Sequence, residues 1–284
     1  MSLQAQKAER FRALHRGRRI LLLPNAWDVA SARAFEDAGF PAVATSSAGL
    51  MASLGYRDGE EIPRGELVAA VGRIAERLSV PLSADVVAGF GRTPQQVAAT
   101  ARMVLRAGAV GLNLEDLDPT NGGLFPEDAQ VRKILAIRRV GESMGIPIVI
   151  NARTDALRHG TGDDAERMRE ATRRSVAYRD AGADCVYPMG LTAASSIAAF
   201  VAALRFPVNV MVRKGLPSVA RLERLGVRRL SFGPSASYAT MGLLGRIGRE
   251  VLGRGTYRSL VEGAIGYEEL QRLGIPRAAP SSRS

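Results

Sequence analysis

Two patterns of apolar residues alternate along the chain. Short runs rich in Val, Ile and Leu predict eight strands, at 20–24, 42–46, 82–87, 111–115, 146–152, 183–188, 208–212 and 229–232. Between them apolar residues return at three- and four-residue spacing, which predicts helices over 28–38, 64–77, 94–107, 126–144, 165–181, 195–204, 218–225 and 235–252. Strands that alternate with amphipathic helices form βα units on a parallel sheet. Several helices stop at a glycine that follows them (Ala38-Gly39, Ala107-Gly108, Ala181-Gly182, Leu225-Gly226), a residue suited to the left-handed turn that ends a helix. Eight such units within 1–258 predict an α/β fold, one (β/α)8 TIM barrel, whose chemistry lies at the C-terminal ends of the strands. The remainder, 259–284, reads as a C-terminal extension, helical as far as Leu273, with a mobile tail around Pro276 and Pro280.

Composition narrows the function. With 284 residues, 46% apolar and 24% charged, the chain buries a large core and is neither disordered nor fibrous. The uncharged stretches 38–56 and 185–204 are interrupted by Pro41, Pro188 and glycines, so no membrane span is expected. Lys7, Arg10 and Arg12 begin a segment without the apolar core of a secretory signal, and the expected compartment is the cytoplasm. One cysteine, Cys185, and two histidines, His15 and His159, exclude a disulfide framework and a zinc cluster, leaving a hard cation on oxygen ligands as the metal option. The net charge of +11 raises a nucleic-acid partner. Yet only three of the basic residues are lysines, and the one dense run (Arg10, Arg12, Arg16, Arg18, Arg19) has only Phe11 beside it for stacking. It reads as a solvated face, with neither nucleic acid nor membrane as partner.

The polar residues at the strand ends carry the candidate chemistry: Thr45-Ser46-Ser47-Ala48-Gly49, then Tyr56 and Asp58, Ser83-Ala84-Asp85, Asn113-Leu114-Glu115-Asp116 and Asn151-Ala152-Arg153-Thr154-Asp155. A carboxylate inside an apolar strand, such as Asp85, is costly unless it is paired or binds a cation. Asp85 and Glu115 therefore either form a Mg2+ site, with water and substrate oxygens completing the shell, or belong to a buried ion network with Arg153. A phosphate loop and a nucleophile elbow are absent, and Pro94 stands where Gly89-Phe90-Gly91 would need a third glycine for dinucleotide binding. Trp27 reads as a packing residue, Cys185 as core, and His159 as an exposed loop residue.

Five motifs in order, Pro24-Asn25-Ala26-Trp27-Asp28, Thr45-Ser46-Ser47-Ala48-Gly49 with Ser53-Leu54-Gly55, Ser83-Ala84-Asp85 with Gly89-Phe90-Gly91, 111–116 and 150–155, resemble the isocitrate lyase/phosphoenolpyruvate mutase superfamily. The resemblance spans about 21–252. It implies a barrel whose last helix is exchanged between subunits of a homodimer or homotetramer. It also implies a small keto acid or hydroxy acid substrate, or a phosphonate analogue, and an enolate stabilised by Mg2+, with Mn2+ as the alternative ion. Carried over, Asp85 and Glu115 organise the metal shell, and Arg153 neutralises charge on substrate or enolate. Ser46, Ser47 and Ala48 hold the substrate carboxylate through backbone N–H groups and the Ser46 hydroxyl, and Asn209 contacts substrate. Asp58 lies near the reacting centre, and Asp58, Tyr56 or a water supplies the proton.

The chain departs from the family at three places. Strand alternation points residue 87 the same way as Asp85, and relatives carry a second acid there, where this chain has Val87. The lyase branch has a Lys-Cys-Gly-His loop after the fourth strand, whereas 117–125 holds no cysteine or histidine. The mutase and hydrolase branches use a lysine and an asparagine there; Asn121 is present, but no lysine lies between Glu115 and Lys133. The expectation is a Mg2+-dependent lyase acting on an oxaloacetate-like compound. Its rivals are a catalytically weak keto acid binder on the same barrel and a phosphonopyruvate or phosphoenolpyruvate mutase-type activity.

Overall fold

In the computed structural model, which describes residues 1–274, the expected alternation is present. The strands are β1 (Leu21–Leu23), β2 (Asn25–Ala26), β3 (Val43–Thr45), β4 (Leu82–Asp85), β5 (Gly111–Glu115), β6 (Val149–Thr154), β7 (Cys185–Pro188), β8 (Asn209–Met211) and β9 (Arg229–Ser231). Every pairing is parallel: β2 to β7 follow one another in order, and β9 lies between β1 and β8. Two joints close the ring. Pro24, where the predicted strand 20–24 ends, separates β1 from β2, because proline lacks the N–H a ladder needs, and a parallel bridge between Val186 and Val208 links β7 to β8. Asn25 staples the first joint, donating to Thr45 O (2.8 Å) while its Oδ1 accepts from Phe232 N (2.9 Å) and Gly233 N (2.8 Å). The eight predicted strands thus form a (β/α)8 barrel.

Strand ends differ from expectation where the backbone imposes it. The strand predicted at 82–87 stops at Asp85, because Val87 turns into the left-handed region with φ of 53° and buries its side chain in the apolar core. Val87 therefore does not continue the face of Asp85. The strand predicted at 146–152 shifts to Val149–Thr154, since Pro147 has no donor and Ile148 N turns back to Ile146 O. That shift brings Arg153 into the ladder opposite Glu115 and Tyr187.

The helices lie outside the barrel and bury one stripe each. In Pro94–Arg106, Thr93 caps the end in a capping box with Gln96, proline occupies the first turn, and Val97, Ala101, Val104 and Leu105 face the core. The helix ends at Gly108, whose φ of 101° costs glycine little. An N-terminal helix, Leu3–Leu14, was not anticipated from the pattern; it buries Ala5, Ala8 and Phe11 under the N-terminal ends of the strands. Arg12 is half-buried there, bonded to Asp184 (2.9 Å) and Pro147 O (3.1 Å), so one member of the arginine run is a structural clamp while the other four are exposed. The helix Ser235–Arg254 behaves otherwise: only Ser237 is buried, and Tyr238, Met241, Leu244 and Leu252 are exposed. Two further helices, Arg258–Val261 and Tyr267–Gly274, follow, and Leu273 is buried. The tail expected to be mobile lies outside the described residues beyond Gly274. Among the described residues no helix is long and apolar enough to cross a membrane.

Candidate active site

A cavity of about 290 Å3 opens at the C-terminal ends of the strands. Ser46, Ser47, Ala48, Asp58, Asp85, Arg153 and Asn209 all line it, from β3, β4, β6, β8 and the loops that follow. Two of the expected site residues do not. Glu115 lies just behind the wall, and Tyr56 turns away, donating its hydroxyl to Glu66 Oε2 at 2.8 Å.

Asp85 is held by dipoles rather than by a cation. It accepts from Ser47 N (3.1 Å) and Asn113 Nδ2 (3.1 Å), while Asn113 Oδ1 accepts from Asn151 Nδ2 (2.8 Å). Its own N–H donates to Thr45 Oγ1 at 2.8 Å. The turn that delivers Ser47 is tight: Ser46 caps the short helix Ser47–Ser53, and a Cβ on Gly49 would stand 3.1 Å from both Trp27 Cβ and Ser237 Oγ. Trp27 thus packs against this turn.

Arg153 shows the opposite arrangement. Its guanidinium bonds Asp155 through Nε (2.7 Å) and Nη2 (2.8 Å), and Glu115 Oε2 through Nη1 (2.6 Å). The ion network weighed from sequence therefore exists, but it takes Glu115 and leaves Asp85 facing the cavity. Behind it, Asp116 accepts from Asp155 N (2.8 Å) and the Tyr178 hydroxyl (2.7 Å) and pairs with Arg174. This second layer was legible only as a charged residue after Glu115.

Charge is crowded at the mouth. Desolvation first, and then the Asp85 charge, raise the Asp58 carboxyl above the ordinary aspartate value, against Ser47 and Arg153, which lower it. Glu115 is likewise raised, by burial above all, with Arg153 opposing and Asp155, Asp85 and Asp58 adding to the rise. Among the described residues no three acids or histidines form a cage for a metal. Mg2+ keeps several waters and commonly takes one or two carboxylates, so Asp85, a hard-oxygen donor facing the cavity, suits it.

Ser83 and Asn151, named in the sequence motifs without a role of their own, also line the cavity, as do Arg158, Tyr187 and Arg229, which the sequence reading did not single out. Alternation within strands could have found Asn151 beside Arg153 and Arg229 beside Ser231. The loop 117–125 takes no part in the wall. Asp118 N donates to Gly123 O (2.7 Å), Leu117 bridges Leu124, and Arg92 ties Asp118 (2.6 Å) to the preceding loop. Cys185 is buried, and burial pushes its thiol up to about 12, which excludes a thiolate nucleophile there.

Residues 11–252 match the sequence profile of the phosphoenolpyruvate phosphomutase family. The chain belongs to that family. It is therefore an enzyme of the isocitrate lyase/phosphoenolpyruvate mutase superfamily, lyases and mutases of small carboxylates. It is 34% identical to 2-methylisocitrate lyase of Bacillus subtilis (strain 168), over 74% of this chain and 68% of the relative. A crystal structure from Burkholderia cenocepacia J2315, provisionally named a lyase/mutase, superposes with a TM-score of 0.88 at 37% identity over 98% of each chain. An oxaloacetate acetylhydrolase bound to its product oxalate superposes with a TM-score of 0.83 at 26% identity, over 94% of this chain and 93% of the other. The family resemblance drawn from the five motifs holds.

Proposed function

We propose that the chain is a Mg2+-dependent lyase-type enzyme that cleaves a C–C or P–C bond of a small α-keto or α-hydroxy carboxylate through an enolate, with an oxaloacetate-like compound as the favoured substrate. The observation that carries this reading is the convergence of Asp85, Asp58 and Arg153 on one small cavity at the barrel mouth. Asp85 is the residue best suited to hold the ion, with Asp58 beside it; Glu115, behind the wall with Oε2 bonded to Arg153, would reach that shell through its other oxygen or a water. When bound, the divalent cation supplies positive charge for the carboxylate and keto oxygens of the substrate.

The remaining roles fall to the chain's own groups. Arg153, aimed by Asp155 and Glu115, presents fixed positive charge where an enolate oxygen develops, and such preorganised charge lowers the barrier without reorganisation. The Ser46-Ser47-Ala48 turn receives the substrate carboxylate, and Asn209 orients the other end of the molecule. Asp58 is the stronger proton donor of the two side chains considered, because it lines the cavity and its carboxyl holds a proton to higher pH than an ordinary aspartate, whereas Tyr56 is engaged by Glu66. The exposed apolar face of Ser235–Arg254 supports a homodimer or homotetramer in which that helix crosses to a neighbouring barrel. A weak keto acid binder is the rival reading, supported by the self-closed loop 117–125, which brings no acid, base or thiol to the cavity. A mutase-type reaction draws support from the family profile and from the likeness to the Burkholderia cenocepacia J2315 lyase/mutase structure.

The deciding experiment is a panel of oxaloacetate, methylisocitrate, isocitrate and phosphonopyruvate with Mg2+ or Mn2+, following pyruvate and glyoxylate release. Metal-dependent product from one compound, lost in Asp85→Ala, establishes the enzyme. Binding of keto acids without turnover under either metal establishes the binder instead.

A further inference from the structure

The floor of the cavity is built differently from its mouth. Arg229 on β9 is 2% exposed and lines the cavity, yet among the described residues it forms no ion pair. Its Nη1 lies 3.5 Å from His15 Nε2, and its Nε has no hydrogen-bond partner. His15 is itself buried, with Nδ1 2.9 Å from Phe11 O. A carbonyl can only accept, so Nδ1 carries the proton and Nε2 offers its lone pair to the arginine. Three other buried polar atoms on the same wall also lack a partner: Ser83 Oγ, Asn151 Oδ1 and Asn209 Oδ1. A buried cation and three unmet polar atoms around one space are expensive unless something polar fills it.

We propose that Arg229, steadied by His15, is a second anionic anchor that selects substrates carrying a further carboxylate, or another anionic group, beyond the one held at the mouth. This rests on the reading that the cavity takes an α-oxygenated carboxylate. It narrows that class to dianions. Ser83 and the two asparagines complete the floor, with Ser83 donating to the anion and the asparagine oxygens accepting from hydroxyl or water. Arginine is suited to the task because its planar fork binds a carboxylate through two N–H groups.

The test compares ligands that differ only at the far end, oxaloacetate against 2-oxobutanoate and malate against 2-hydroxybutanoate, by calorimetry with Mg2+. The wild-type chain is expected to bind the dianion of at least one pair ten-fold or more tightly than its partner. Arg229→Met reduces that preference to within about two-fold, weakening the dianion far more than the monoanion, and Arg229→Lys restores part of it. Replacing an unpaired buried cation by methionine relieves a desolvation penalty, so the variant retains its fold. Asp85→Asn is the separate control on the parent reading, weakening both members of a pair alike. If Asp85→Asn does so but the wild type shows no preference, or Arg229→Met keeps it, the floor anchor is wrong and the parent reading stands. If the wild type binds none of the four, both fall.

Discussion

Arg153 and Arg229 face one cavity from β6 and β9, and their surroundings could hardly differ more. Arg153 makes three charge-assisted bonds to two carboxylates, whereas Arg229 meets one imidazole lone pair and keeps an idle N–H. The difference separates two uses of a buried cation. A saturated guanidinium is fixed in direction before any ligand arrives, and its charge is partly spent on its holders. An unsaturated one stores the cost of burial and recovers it when an anion enters.

The most severe test of the division lies at the mouth. Asp85→Ala should lower metal-dependent turnover by about 100-fold or more, since it removes the one mouth carboxylate on a strand that is not spent on an arginine. Activity within a few-fold of wild type would mean the metal sits elsewhere. Next comes Asp155→Ala, which strips Arg153 of its two-bond partner in a fully buried position and is expected to cost about 3 kcal/mol in urea unfolding. A loss below about 1 kcal/mol would show that Glu115 alone suffices to hold Arg153.

A pH experiment sharpens the floor. Burial, and then the Arg229 charge, lower the His15 imidazole from 6.5 to about 4. On acidification the unfolded chain takes up the proton first, so this group's contribution to stability is present at neutral pH and falls between about 6.5 and about 4. From about pH 8 to about pH 5 the loss amounts to roughly 2 kcal/mol. His15→Gln should unfold with a correspondingly flatter pH dependence, and identical slopes for the two proteins would show that His15 is not held neutral. The smallest expected effect is that of Tyr56→Phe, which should leave turnover within about two-fold because the hydroxyl is bonded to Glu66 outside the cavity. A collapse of activity there would return Tyr56 to the proton-transfer step.

Legibility followed the same division. The mouth could be read because its acids interrupt apolar strands, where a carboxylate stands out: Asp85 and Glu115 were found that way, and the barrel itself followed from eight apolar runs and their glycine stops. Arg229 was hidden in Arg228-Arg229 within a chain crowded with arginine, although its alternation with Leu230 marks it as pointing inward. Val87 misled because alternation was extended past the end of β4, and a left-handed residue breaks it. The N-terminal helix was missed because its apolar stripe is weak, resting on two alanines and Phe11, with its grip supplied by Arg12 and His15 at its C-terminal end. Contacts made between distant segments leave no local pattern to read.

The stapled seam of the barrel has a consequence for the order in which the protein assembles. β1 pairs with β9, joining Leu21 to Arg229, so the ring closes only after nearly the whole chain has been ordered. Contacts between segments so far apart in sequence form slowly, because the loop they close must be constrained first. The floor of the cavity draws His15 from one side of that seam and Arg229 from the other. A half-built barrel therefore displays the mouth carboxylates without the Arg229–His15 pair, and the capacity to recognise the far end of a ligand arises last, with the closing of the ring.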